Sequence, residues 1–350
     1  MNQTPKVSML IPIYGVEKFI ERCAISLFEQ TYQNIEYIFV NDCTKDDSIN
    51  VLERVINSYP NRKPFVRIIN HTQNKGLAGA RNTAVANATG DFIMHVDSDD
   101  YVDKEIVRKA IDKQLQFDAD IVIIDFKKAS PSFCKITRYA SFSNPEEYCL
   151  TVLSRKNSNS IWAKLIRRSL YVDNGIKCKQ GCNQGEDYQV VPILLYYAKK
   201  IVNLTEPLYY YDCSNEGAYS NSFTISKHDQ NWESMNLVKS FFEDKSNMYR
   251  YAVDCGRMRQ IADDLMISAK TSGAVSKCYY EYARTQLKCI APSCKKNVTL
   301  GKKIVLSLSS NYCLMKSYAL SMRWLRHHLL MIKSKITKVS QVNKYQLACL

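Results

Sequence analysis

The sequence predicts an α/β fold: a mostly parallel sheet flanked by helices, with a helical extension toward the C-terminus. Three observations carry that expectation. Over the first 126 residues, short apolar runs alternate with helical periodicity at a period of about 30 residues, as right-handed βαβ units do. Polar clusters follow directly on three of those runs, at Pro12–Glu17, Asn41–Thr44 and Asp97–Asp100. Strand ends of a parallel sheet lie side by side, so the clusters should converge. From about residue 229 onward, helical spacing replaces the alternation.

The elements follow in order. Val7–Ile13 reads as a buried strand, with Pro12 near its end, where proline is tolerated. Phe19, Ile20, Cys23, Leu27 and Phe28 recur at helical spacing, predicting a helix over Glu17–Glu29. Glu36–Val40 is the second strand, and Val51, Leu52, Val55 and Ile56 mark the second helix. Phe65–Ile69 is the third strand, followed by a helix marked by Leu77, Ala80, Ala84, Val85 and Ala88. The fourth strand, Phe92–Val96, ends abruptly in Asp97, Asp99 and Asp100. A helix over Asp103–Phe117 and a strand over Asp120–Phe126 come next. The pattern then loosens: an irregular hairpin over Phe133–Phe142, helices over Pro145–Leu153 and Glu186–Ala198, and two short strands, Ile201–Leu204 and Leu208–Tyr211. Tyr219–Ser226 is polar and reads as a mobile loop. Lys302–Lys338 is predicted as one amphipathic helix, its stripe including Ile304, Leu308, Tyr312, Met315, Ala319, Met322, Leu325, Leu329, Ile332 and Ile336. The expected domains are 1–225 and a helical, basic 226–350.

At 46% apolar and 23% charged, the 350 residues make ordinary globular material rather than a disordered chain. No run of about 18 uncharged apolar residues occurs, so no membrane-spanning helix is expected. No export signal is read at the start, so the 13 cysteines are expected to be reduced thiols in the cytoplasm. Cys178 and Cys182 have no second pair at zinc spacing. The net charge of +14 is uneven. Residues 282–350 hold 13 Lys and Arg and no acid, while the other 35 basic residues offset 34 acidic ones. Such a tail suits an anionic partner, here a membrane surface on the inner face of the cell membrane rather than nucleic acid. The bland alternative is that its stripe packs on the preceding domain.

Two carboxylates one residue apart repel unless a cation lies between them. Mn²⁺ or Mg²⁺ would satisfy Asp97 and Asp99 and favours phosphate oxygens as further ligands. Helix capping would explain one aspartate but not three. A nucleotide fits the convergence: Tyr14 would stack on the base and Asp42 would accept a base N–H. Asn74–Asn82 opens the third helix with two glycines, and Arg81 would reach an anionic ligand. This stretch is neither a G-x-G-x-x-G fingerprint nor a P-loop, which argues against dinucleotide binding and P-loop NTPase chemistry. Gly185-Glu186-Asp187 begins a helix, so its acids are either dipole partners or a general base. Trp162 places a flat side chain near Lys164, as a sugar site or as core.

Taken together, these residues resemble a family 2 glycosyltransferase of the GT-A fold. The resemblance covers about residues 5–215. Val7–Tyr14, Val40-Asn41-Asp42, Asn74–Asn82 and Val96-Asp97-Ser98-Asp99-Asp100-Tyr101 fall in the family's order, as do Trp162-Ala163-Lys164-Leu165 and Gly185-Glu186-Asp187. The resemblance implies nucleotide binding by Pro12, Tyr14, Glu17 and Asp42, and sugar-diphosphate binding by Arg81 and Asn82. It implies a D-x-D at Asp97 and Asp99, with Asp99 the direct metal ligand, and a catalytic base at Asp187. Trp162, Lys164 and Glu186 would face the acceptor. Cys43 departs from the family's usual Gly or small residue and would narrow the turn beside the base. The implied reaction is inverting transfer of a sugar from a nucleotide-sugar donor, the implied class being a UDP-linked hexose or N-acetylhexosamine. The acceptor would be a hydroxyl of a glycan or lipid-linked acceptor in surface polysaccharide synthesis. A nucleotidyltransferase would need a Gly-rich basic loop after the first strand, which Pro12–Val16 does not supply. A non-catalytic nucleic-acid or membrane-binding protein would leave Asp97, Asp99 and Asp187 unexplained.

Overall fold

The computed structural model describes residues 4–321, apart from 131–132, 140–141, 143, 216 and 218–221. The elements are β1 (Val7–Ile13), α1 (Ile20–Phe28), β2 (Ile35–Asn41), α2 (Ser48–Ser58), β3 (Val66–Asn70), α3 (Gly76–Asn87), β4 (Phe92–His95), β5 (Tyr101–Val102) and α4 (Ile106–Phe117). They continue with β6 (Ile121–Ser130), β7 (Phe133–Thr137), α5 (Pro145–Leu153), β8 (Lys164–Arg167), α6 (Arg168–Asp173), α7 (Glu186–Tyr197), β9 (Ile201–Asp212) and α8 (Ile225–Phe242). The strands join in the order β3-β2-β1-β4-β8-β6-β9-β5, with β7 on β6.

The first four strands are parallel, as their alternation with helices requires. Val7, Met9, Leu10, Ile11 and Ile13 are all fully buried. Both faces of the sheet are therefore covered, which explains why β1 is an unbroken apolar run. Each such side chain contributes roughly 1.5–3 kcal/mol through burial. Gly90 enters β4 beside β1, and a Cβ there would stand 2.7 Å from the Lys6 carbonyl oxygen. No larger residue fits that approach.

Within the sheet, two features differ from the sequence expectation. The two short strands at 201–211 are one strand, β9. Pro207 lies opposite Asp125 between two register shifts, an irregularity where proline's missing N–H costs no regular ladder bond. The Trp162 motif runs into β8, an antiparallel strand between β4 and β6.

The chain divides into two compact units: 1–222 with 226–253, and 223–225 with 254–350. Residues 226–253 thus group with the sheet. The second unit takes in most of α9 (Asn247–Lys270), α10 (Gly273–Leu287), α11 (Leu300–Ser307) and a helical stretch at 312–321. The expected continuous helix from 302 is broken between 308 and 311. Asn311 accepts the Leu314 N–H at 3.1 Å and caps a new start. Along the stripe, Tyr312 packs on Tyr280 with ring centroids 4.7 Å apart, and Met315 and Ala319 are buried. The stripe's remainder, from Met322, lies outside the described residues, as do 219–221 of the expected loop at Tyr219–Ser226, whose last two residues, Ile225 and Ser226, already belong to α8. No helix among the described residues is long and apolar enough to cross a membrane.

Candidate active site

The carboxyl ends of β1, β2 and β4 open on one cleft of about 670 Å³. Pro12, Tyr14, Asp42, Arg81, Asp97 and Asp99 line it, with Trp162, Glu186 and Asp187. Residues far apart in sequence meet there because successive strands of the parallel sheet end at the same edge.

At one end Tyr14 stands 55% exposed on the rim, as a stacking side chain requires. Asp42 is buried on the floor. Its Oδ1 accepts the Lys75 N–H at 2.7 Å and lies 2.7 Å from His71 Nδ1. Asn74 donates to the Asp42 carbonyl at 2.9 Å. The turn after β2 is therefore locked to the start of α3. Cys43 adopts φ +57° within it, a left-handed conformation that suits Gly and costs a side-chain-bearing residue about 1 kcal/mol. Glu17 does not line the cleft. Its Oε2 accepts the Asp47 N–H at 3.1 Å, at the head of α2.

The three aspartates after β4 divide their work. Asp100 is buried, accepting the Tyr209 hydroxyl at 2.7 Å and the Asp212 N–H at 2.8 Å. It ties the turn to β9. Burial and the nearby charge of Asp99 push its carboxyl well above the usual range. Asp97 meets Arg81 at 3.0 Å, and Asp99 accepts Asn215 Nδ2 at 2.9 Å. Burial, then the charge of Asp97, pushes the Asp99 carboxyl up. Among the described residues no cation pairs with Asp99. Two crowded carboxylates, one without a counter-ion, form an oxygen donor set that fits a hard divalent ion.

Arg81 gathers the cleft's acids. It is 2% exposed, and its Nη2 lies 3.0 Å from Asp97, 3.5 Å from Glu186 and 3.7 Å from Asp187. Burial opposes its charge, but the carboxylates, Asp97 foremost, hold it firmly protonated. Its Nε and Nη1 have no hydrogen-bond partner among the described residues. Glu186 and Asp187 begin α7, launched by Gly185 at φ +80°. A Cβ at Gly185 would also stand 3.2 Å from Ser234 Cβ. Burial, reinforced by Asp187, pushes Glu186 up to about 8. Burial raises Asp187 too, against the pull of Arg81. Asp187 Oδ2 accepts the Ile161 N–H at 3.1 Å.

Trp162 lines the cleft and stacks on Tyr209 at 4.8 Å and Tyr211 at 5.4 Å, so it is both wall and core. Two expected site residues lie behind the wall. Lys164 is 1% exposed and donates to the Ser160 carbonyl at 2.6 Å. Asn82 clasps the Cys178 backbone, donating to its carbonyl at 2.8 Å and accepting its N–H at 2.9 Å. The segment that Asn82 holds, 178–185, is a wall that sequence reasoning missed. Asn183 and Gln184 line the cleft. Asn183 Oδ1 accepts the Ala78 N–H at 3.1 Å, while Gln230 Oε1 of α8 accepts the Asn183 N–H at 2.9 Å. Ser234 of α8 donates to the Gln184 carbonyl at 2.8 Å.

Residues 8–172 match the family described as Glycosyl transferase family 2. The chain is 32% identical over 214 residues to the uncharacterized glycosyltransferase EpsJ of Bacillus subtilis, covering 59% of this chain and 61% of that protein. It is 28% identical over 239 residues to the poly(ribitol-phosphate) beta-N-acetylglucosaminyltransferase TarS of Staphylococcus aureus, covering 67% of this chain and 40% of TarS. The matches thus span less than two thirds of either relative. The crystal structure of S. aureus TarS 1-349 in complex with UDP-GlcNAc superposes with a TM-score of 0.73 at 19% identity, covering 91% of this chain and 92% of that one. The last likeness shows that the GT-A-type architecture is shared. The match over residues 8–172, together with the similarity to EpsJ and TarS, supports placing the chain in glycosyl transferase family 2.

Proposed function

We propose that the chain is a metal-dependent inverting glycosyltransferase. It moves a sugar from a UDP-linked hexose or N-acetylhexosamine to a hydroxyl of a glycan or lipid-linked acceptor in surface polysaccharide synthesis. One observation carries this reading: a single guanidinium, Arg81, lies 3.0 Å from Asp97 and 3.7 Å from Asp187. The pair after β4 and the acid on α7 therefore share one cleft. That S. aureus TarS crystallises with UDP-GlcNAc supports a UDP-linked donor.

Tyr14 and Asp42 would hold the base, and Asp97 and Asp99 would hold Mn²⁺ or Mg²⁺. The metal, when bound, supplies positive charge against the departing diphosphate. Arg81 has donors to spare for the same task. Asp187 takes the proton of the acceptor hydroxyl, which attacks the anomeric carbon from the face opposite the diphosphate. Burial, which raises its carboxyl against the pull of Arg81, strengthens it as a proton acceptor. Trp162 and Tyr211 offer aromatic faces to the acceptor. The basic C-terminal region would bring the protein to an anionic membrane surface where lipid-linked acceptors lie.

The decisive experiment is a screen of nucleotide-sugars for Mn²⁺-dependent release of free nucleotide. Turnover with a UDP-sugar supports the reading. Lack of turnover with every donor, with salt-sensitive nucleic-acid binding instead, would overturn it.

A further inference from the structure

Lys164 is an amine buried behind the cleft wall, outside the cleft lining; burial pulls its pKa down to about 7 against the charge of Asp187. Among the described residues its amine makes one hydrogen bond, to the Ser160 carbonyl at 2.6 Å, and it stands 4.9 Å from the Tyr139 ring centroid. The peptide group that ends in that carbonyl begins, at its other side, with the N–H of Ile161. That N–H donates to Asp187 Oδ2 at 3.1 Å. One peptide plane thus has a lysine on its oxygen and the candidate base on its N–H.

The surroundings are built to hold that plane. Tyr139 Oη lies 2.7 Å from Ser160 Oγ, and Ser158 Oγ donates to Ser160 Oγ at 3.1 Å. Ala163 adopts φ +54°, folding the chain so that Lys164 reaches back four residues to Ser160. The second oxygen of Asp187, Oδ1, has no hydrogen-bond partner among the described residues. The orientation of this carboxylate therefore rests on the Ile161 N–H and on the looser pull of Arg81 at 3.7 Å. Burying an ammonium is costly, and an apolar residue of similar length would fill the space without that cost.

We propose that Lys164 is a positioning residue for Asp187: it clamps the Ser160 carbonyl, so that the Ile161 N–H holds the base carboxylate in its working orientation. This rests on Asp187 being the base. The lysine's hydrogen bond to the Ser160 oxygen polarises the peptide and strengthens the N–H donor at its far end. Small losses of alignment at a reacting group cost up to about a hundredfold in rate.

The test compares full-length wild type with Lys164→Met and Lys164→Arg, using the donor found to turn over. Lys164→Met is expected to lower kcat for transfer about 10- to 100-fold and leave the donor KM within about twofold. Lys164→Arg, which keeps a long N–H donor at this position, should recover part of the loss. A folded Lys164→Met enzyme with kcat within twofold of wild type overturns the proposal. So does an equal loss in kcat and donor affinity, the mark of a general disturbance. A second arm needs no turnover: thermal unfolding of Lys164→Met, Asp187→Asn and the double variant. The proposal expects the double variant to be less destabilised than the sum of the singles. Strict additivity overturns it. An Asp187→Asn enzyme that still turns over instead overturns the reading of Asp187 as the base, and so is told apart from failure of the clamp alone.

Discussion

The two edges of the sheet treat acids in opposite ways. At the amino edge, Glu36 is fully enclosed by donors. Ser8 Oγ and the Thr89 N–H donate to Oε1 at 2.5 and 2.6 Å, and Lys6 Nζ and Thr89 Oγ1 donate to Oε2 at 3.0 and 2.9 Å. Burial works against its charge, but those bonds together hold it down at about 2. At the carboxyl edge, Asp99, Asp100, Glu186 and Asp187 are all pushed up, burial being the first cause in each. The lower edge satisfies its acid and gains stability. The upper edge crowds acids together and leaves hydrogen-bonding capacity unused, as sites prepared for a ligand do.

Substitutions at each edge would break or sharpen this contrast. The largest effect is expected at Asp187→Asn: transfer falls at least about a thousandfold, roughly 4 kcal/mol in barrier, while calorimetry shows unchanged donor-nucleotide binding. Equal loss of binding would move Asp187 out of the base role. Asp99→Ala should weaken Mn²⁺-dependent nucleotide binding about a hundredfold, measured by titration with and without metal. Unchanged metal dependence would count against the pair after β4. Glu36→Gln should cost about 2 kcal/mol of stability with kcat unaltered, since charge-assisted bonds are lost far from the cleft. Because the folded pKa of Glu36 lies below its unfolded value, its contribution is present above about pH 4.5 and fades as pH falls toward 2. Urea unfolding at pH 7 and pH 3 should show the variant closing on wild type at the lower pH.

Glu186→Gln gives the smallest change, of opposite sign. Its folded pKa, about 8, lies above the unfolded value, so ionisation penalises the folded state fully above pH 8 and not at all below about 4.5. The variant should melt a little higher than wild type at pH 9 and at the same temperature at pH 4. Loss of stability at pH 9 would show that the Arg81–Glu186 contact outweighs burial.

How much of this could be read from the chain depends on the range of the forces involved. β1 through β4 were legible because strands covered on both faces become unbroken apolar runs, and Asp97 and Asp99 because polar clusters at the ends of such runs converge. Pro12, Tyr14, Asp42, Arg81, Trp162, Glu186 and Asp187 do line one cleft. β8 was not legible, since four residues beginning with a buried lysine carry no strand pattern. Nor could periodicity reveal that Asn82 holds Cys178, or that Glu17 ends on the Asp47 N–H, because such bonds join distant positions without a local signature. The break at 308–311 had a signal in Ser309-Ser310-Asn311, residues that favour caps over helix interiors. The apolar stripe running through it hid that signal.

The family match ends at residue 172, before α7 begins. Asp97 and Asp99 hang from strands completed within the first hundred residues, whereas Asp187 rides on a helix braced by Gln230 and Ser234 through the 178–185 wall. On the proposed reading, delivery of the activated group and choice of its recipient would be entrusted to separate stretches of chain. Exchanging 174–253 between kindred chains would redirect the product while leaving the donor untouched.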